Sequence, residues 1–376
     1  MKAPLLTTAS LFLFTTSACD RDPASSPPVD VDAQDASADV ASPDAVADDV
    51  TTDTTDPADT IDTADTNDTA DTTDTAPCEA QPAHSENRTV VGALGSLGGT
   101  LEVPAGCGPF PVVLLVSGSG TTDRDGNNFD RPDNYRLVAL GLRDQGIASL
   151  RYDDPGIGES LNAAPDRLED YRYEHDVEPA ARWAETLLAD DAFGAVVVAG
   201  HSQGALTATL VAEREPIDGL VTLAGTSLPA GALLIQQLRD SATPEELEAL
   251  EAAVAELNAG RLVTTPLPPR VANVLARPLQ PYLISWFAFD PVDELARTTV
   301  PLLVVHGRND WLVSPVQARE LAAARPGVRA TYIDRMAHSL KEAGLDAASQ
   351  RAAKTDPEVP LAPGLIDALA AFVLGL

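Results

Sequence analysis

Gly200-His201-Ser202-Gln203-Gly204 is the segment of this chain best suited to covalent chemistry. It follows the apolar run VVVAG and precedes ALTATLVAERE, a strand, turn and helix in succession, and only that context gives Gly-x-Ser-x-Gly meaning. Gly200 and Gly204 leave room for a tight turn that lifts the Ser202 hydroxyl clear of its strand. The helix N-terminus behind it favours negative charge. Without that context the pentapeptide is equally a Gly-rich turn with a capping serine.

A serine hydroxyl is a poor nucleophile until a base, most often histidine, takes its proton and a carboxylate orients that base. Five histidines limit the choice. His84 lies at the edge of an acidic linker, His175 is on a predicted helix ahead of the serine, His201 is part of the turn itself, and His306 ends a buried strand. His338 remains, in the loop Asp334-Arg335-Met336-Ala337-His338-Ser339 after the last predicted strand. Asp310, in His306-Gly307-Arg308-Asn309-Asp310, sits at the carboxyl end of the preceding strand, where open parallel sheets place their sites. Asp334 is the second choice. An oxyanion would need backbone N–H donors set in advance, each worth about 2.7 to 4 kcal/mol. Gln203 should supply one and the small-residue loop Ser117-Gly118-Ser119-Gly120 the other, through Ser119; the alternative for that loop is a plain Gly/Ser turn.

The elements that must position these groups follow from periodicity. Residues 90–101, broken by glycines, read as an opening hairpin. Residues 111–116 (PVVLLV) form a continuous apolar run of buried-strand type. Helix 134–145, strand 147–151, helix 172–189, strand 195–199, a helix after Ser202 and strand 220–223 come next. Strand 301–306, helix 315–324, strand 329–333 and helix 365–374 complete the pattern. Strand and helix alternate, which predicts a mostly parallel sheet with helices on both faces. Residues 228–297 interrupt the alternation with a charged helix, 244–257, and a Pro-rich aromatic stretch, 278–289. An insertion of that length reads as a helical cap.

From about residue 90 onward the chain resembles an α/β-hydrolase, and several segments resemble bacterial short-chain carboxylesterases near the serine aminopeptidase and dienelactone-hydrolase branches. The segments are SGSGTTDRDGN (117–127), RYDDPGIGES (151–160), GHSQG (200–204), QPYLISWFAFDP (280–291), HGRND (306–310) and MAHSLK (336–341). The chain order Ser, Asp, His is the order of that superfamily. Ser117 stands where many members have His, a change that this esterase group tolerates. The resemblance implies an esterase for short acyl chains, with the cap shaping the acyl pocket. Trp286, Phe287 and Phe289 are candidates to line that pocket, or they are simply the core of the cap.

Two acidic features carry less. Asp123-Arg124-Asp125-Gly126-Asn127 resembles the start of a calcium loop, but its sixth position is Asn128 and its twelfth Asn134; a salt-bridge network that stiffens the loop is the better reading. No metal or cofactor is called for. Glu245, Glu246, Glu248 and Glu251 would suit a free α-amino group in an aminopeptidase or amidase, yet as a helical charge run they read more simply as a solvated face.

Composition places this domain in its setting. The chain has 376 residues with 25 Lys+Arg against 57 Asp+Glu, net charge −32. Residues 20–79 hold 17 Asp, one Glu and one Arg, and residues 80–376 hold 39 acids and 23 bases. Such a balance disfavours nucleic acid as a partner. Residues 1–18 read as a signal peptide, too short in their apolar run to span a bilayer. Thr16-Ser17-Ala18-Cys19 resembles a bacterial lipobox, with Thr16 where Leu is usual, which implies lipidation at Cys19, export, and anchoring to a membrane on its periplasmic or cell-surface side. Residues 19–80, with Asp at every third position from Asp53 to Asp74, read as a disordered acidic tether of roughly 40 to 50 Å or more. Cys78 and Cys107 form an even pair that an exported protein could close as a disulfide; free thiols fit the spacing equally. Residues 81–376 are then one hydrolase domain, expected to act on a small-molecule ester through Ser202, His338 and Asp310. A non-catalytic surface binding module on the same scaffold would lack a member of that set, and none is missing. No pattern sets the oligomeric state.

Overall fold

The computed structural model describes residues 78–376 with the exception of residue 129. Cys19, the signal segment and the period-three tract of aspartates lie outside the described residues.

Alternation with a period of two builds the sheet. In β3 (Phe110–Val116), Val112, Leu114 and Val116 enter one apolar core while Val113 and Leu115 enter another. β5 (Phe193–His201) repeats the division, with Val196 and Val198 on the first side and Val197 and Ala199 on the second. A strand buried on both faces has no polar alternation, which is why these segments read as unbroken apolar runs. The remaining strands are β1 (His84–Val91), β2 (Ser96–Val103), β4 (Ala148–Tyr152), β6 (Gly219–Leu223), β7 (Leu302–Gly307) and β8 (Ala330–Ile333). Their order is β1-β2-β4-β3-β5-β6-β7-β8. β1 and β2 form an antiparallel hairpin, β2 joins β4 antiparallel, and every later pairing is parallel.

Helices cover both faces. α1 (Asn134–Asp144) lies on one; α2 (Glu174–Leu188) and α3 (Gln203–Ala212) lie on the other. Residues 203–211 of α3 are all buried, so the helix behind Ser202 is held on every side. Between β6 and β7 come α4 (Ala230–Arg239), α5 (Pro244–Asn258), α6 (Pro269–Val274), α7 (Gln280–Phe287) and α8 (Pro291–Arg297). α9 (Val316–Ala323), α10 (Ala347–Thr355) and α11 (Leu365–Val373) follow, the last packing beside α1. α10 was not expected from periodicity. Its sequence, AASQRAAKT, buries only Gln350 and Ala353, and it is held by Asp346, whose side chain accepts from the Ser349 N–H.

The calcium-like loop is occupied by protein partners. Asp123 accepts from the N–H groups of Asp125 and Asn127, Arg124 pairs with Asp153 and Glu159, and Asp125 pairs with Arg151. Cys78 and Cys107 are both disulfide-bonded.

Candidate active site

The site begins with a backbone turn. Ser202 has φ 54° and ψ −119°, a conformation that a residue with a Cβ adopts only when its surroundings enforce it. Here the enforcing contacts are close. A Cβ on Gly200 would collide with the Gly204 carbonyl, and one on Gly204 with the carbonyls of Val116 and Ser117. The Ser202 N–H donates to the Leu223 carbonyl of β6 at 2.8 Å, which holds the turn to the neighbouring strand.

His338 comes from the loop after β8, and its Nε2 lies 3.1 Å from Ser202 Oγ. Its Nδ1 lies 2.8 Å from Asp310 Oδ2. Asp310 follows β7 and is 6 % exposed; its other oxygen accepts from the N–H groups of Leu312 and Val313 at 2.8 and 2.9 Å. Burial alone would raise the Asp310 carboxyl, but the charge and hydrogen bonds of His338 and His306 outweigh it and hold the group well below the usual carboxylate range. An ionised Asp310 can only accept, so the proton of the neutral imidazole sits on Nδ1 and Nε2 is free to accept from the serine. That order of donors and acceptors is what removal of a hydroxyl proton requires.

The other acids and histidines are placed elsewhere. Asp334 is 84 % exposed at its side chain and pairs with Arg308. His306 is buried against Asp310, 3.4 Å from Oδ2, and donates from Nε2 to the Val313 carbonyl. The N–H groups of Ser119 and Gln203 have no acceptor among the described residues, whereas the Gly118 N–H is already committed to the Tyr135 hydroxyl at 2.9 Å.

A cleft opens beside this turn. Ser117, Gly118, Gly120 and Gln203 line it on the sheet side, and Leu279 and Tyr282 come from the helices between β6 and β7. Trp286, Phe287 and Phe289, candidates for either pocket lining or the core of the cap, are not among its lining residues. Trp286 stacks on Tyr173 with ring centroids 6.0 Å apart, and Trp286 and Phe287 are buried in the core. Glu245, Glu248 and Glu251 are exposed on α5, and Glu246 closes a capping box with Thr243. The acids that do face the cleft are Asp154 and Asp176. Asp154 accepts from Ser117 Oγ at 2.6 Å and from the Thr122 N–H at 2.8 Å. Asp176 accepts from the hydroxyls of Tyr171 and Tyr282 and from Gln203 Nε2, at 2.8, 2.9 and 3.2 Å. Burial pushes Asp176 up to about 6 against those three hydrogen bonds, and raises Asp154 well above its ordinary value. Asp176 and Tyr282 are 106 residues apart and carry no local motif, so nothing in the sequence pointed to their meeting.

With this geometry in view, comparison with known proteins is decisive on one point. A family model described as the alpha/beta hydrolase family matches residues 113–349. The chain belongs to the alpha/beta hydrolase family. Its mostly parallel sheet flanked by helices is that family's fold. It is similar to Esterase EstD of Thermotoga maritima, 29 % identical over 253 residues, which are 64 % of this chain and 57 % of that protein; the match thus spans little more than half the relative's length. Among solved structures it is similar to a proline iminopeptidase of Mycobacterium smegmatis, with TM-score 0.50 and 16 % identity over 77 % of this chain and 98 % of that one. A hypothetical protein from Pseudomonas aeruginosa matches with TM-score 0.50 and 14 % identity, over 78 % and 94 % of the two chains. These two likenesses concern the fold alone.

Proposed function

We propose that this hydrolase cleaves carboxylic esters of short acyl chains through an acyl-enzyme. Ser202 attacks the carbonyl, His338 takes the serine proton and returns it to the leaving alcohol, and Asp310 orients the imidazole and stabilises its charged form. The N–H groups of Ser119 and Gln203 hold the oxyanion. One observation carries the reading: the unbroken line from Asp310 through His338 to a serine Oγ in a strained turn, at 2.8 and 3.1 Å. The name of the esterase relative from Thermotoga maritima agrees with it. Asp154, Asp176 and Tyr282 face the cleft, and a long alkyl chain laid against them would bury polar groups without a new hydrogen bond, which supports short acyl groups.

The test is Ser202→Ala against an ester series of increasing acyl length, with labelling by a fluorophosphonate. The variant should lose both hydrolysis and labelling, and wild-type activity should fall as the acyl chain lengthens. Hydrolysis retained by the variant sinks the proposal.

Asp154 and Asp176 favour a second reading, an aminopeptidase or amidase. Both carboxyls keep acceptor positions beyond the hydrogen bonds already made, and both face the cleft beside Gln203. An aminoacyl ester and aminoacyl amide, compared with the neutral ester of equal size, separate the two readings. Preference for the amine-bearing pair would favour the second. We also propose export and lipid anchoring at Cys19, on the strength of the sequence alone.

A further inference from the structure

We infer that Tyr135 and His201 are positioning residues that tie the oxyanion loop to the loop of the base through a hydrogen-bond relay of fixed direction. The inference rests on the acyl-enzyme reading. The chain of contacts runs from the Gly118 N–H to the Tyr135 hydroxyl at 2.9 Å, from Tyr135 to His201 Nδ1 at 2.8 Å, and from His201 Nε2 to the His338 carbonyl at 2.7 Å. Its ends decide its direction. A backbone N–H can only donate and a carbonyl can only accept, so the tyrosine hydroxyl accepts from Gly118 and donates to Nδ1, while Nε2 carries the imidazole proton and donates to His338.

The relay therefore needs a neutral His201. A second proton on Nδ1 would face the Tyr135 hydroxyl, whose own hydrogen would then lose its acceptor in a buried site. Both rings are 7 % exposed. Burial and the neighbouring His338 push His201 down to about 3, so the neutral form prevails at ordinary pH. The rings of His201 and His338 are 4.9 Å apart, and a charged His201 would oppose the imidazolium that forms on His338 in the reaction.

The arrangement answers a geometric problem. The oxyanion loop follows β3 and the base follows β8, more than 200 residues later, yet both must meet Ser202 within a fraction of an ångström. Asp310 holds the His338 ring, and His201 holds the His338 main chain. Tyr135, from the first turn of α1, carries the same constraint to Gly118. The commitment of Gly118 removes its N–H from the donors open to an oxyanion, whereas that of Ser119 has no acceptor among the described residues.

Tyr135→Phe, His201→Gln and the double variant test the relay on a short-chain ester, with kcat, KM, fluorophosphonate labelling rate and melting temperature measured for each. Gln keeps a donor near the Nε2 position but offers Tyr135 no acceptor at Nδ1. Each single variant should lower kcat and the labelling rate by roughly 10- to 100-fold with KM changed less than about threefold. The double variant should lose no more than the worse single, because the two residues act as one unit. Should Tyr135→Phe fail to fold, an unchanged kcat in His201→Gln overturns the relay by itself. Multiplicative losses in the double variant, or losses in KM alone, also overturn it. A wild type that neither labels nor hydrolyses esters overturns the acyl-enzyme reading and the relay with it; one that does both while the variants keep full kcat overturns the relay only.

Discussion

Asp310 can orient His338 only while it stays ionised, and its environment ensures this. Two backbone N–H groups and two imidazoles surround a carboxylate that burial would otherwise neutralise. Replacing it with Asn keeps the shape but offers His338 the wrong donor pattern. Asp310→Asn should therefore lower kcat on the order of 10⁴-fold, with a far-UV circular dichroism spectrum matching the wild type; a loss under tenfold would contradict the assigned tautomer. Asp176 presents the opposite case. Its carboxyl is raised from 3.8 to about 6 in the folded protein, so between those values the folded state binds more protons than the unfolded one. Stability then falls as pH rises through that window and is level above it. Relative to Asp176→Asn, wild type should lose up to about 3 kcal/mol between pH 4 and pH 7, as read from urea unfolding at each pH. A difference that grows with pH in favour of wild type would show the carboxylate to be stabilising.

At the scale of elements, the turn around Ser202 is tightly constrained. The collision of a Cβ at Gly204 with the end of β3 cannot be relieved by rotating a side chain, because the opposing atoms are main-chain carbonyls. Gly204→Ala should abolish labelling of Ser202 and lower the melting temperature, whereas retention of both would mean the turn can move. α5 offers a contrast. Thr243 and Glu246 cap each other's backbone groups at its start, and no residue of α5 lines the cleft. Thr243→Ala should cost about 1 kcal/mol in urea unfolding and leave kcat/KM for a short ester within about twofold. The strands and the helices that follow them were legible because a buried strand must be apolar and a surface helix must show a stripe. The segments between β6 and β7 and the polar α10 were less so. Short helices that bury two or three side chains each leave little periodicity to read.

Across the whole molecule, charge and chemistry are separated along the chain. Residues 20–79 carry 18 acids and one base, and the residues proposed to act on substrate all lie beyond position 110. If Cys19 is the anchor, metabolic labelling with a tritiated fatty acid should mark the wild type, and Cys19→Ser should lose the label and leave the membrane fraction. Unlabelled wild type would remove the anchor from the proposal. Among the described residues no helix is long and apolar enough to cross a membrane.

The nature of the groups was readable in one dimension. A glycine-flanked serine between a strand and a helix, a histidine after the last strand and an aspartate after the strand before it are local facts, because backbone sterics and strand ends are local. The aromatic stretch of the cap insertion left two readings open, pocket lining or core, because it could not say which face Trp286 would present; packing against Tyr173 placed that ring in the core. The cleft with its carboxyls likewise required folding. Asp154 follows β4, Asp176 is on α2 and Tyr282 on α7, and only the tertiary fold brings their groups to one space. Tyr135, His201 and the His338 carbonyl meet for the same reason. Hydrogen bonds reach about 3 Å, a distance that sequence separation does not encode and that tertiary packing alone decides.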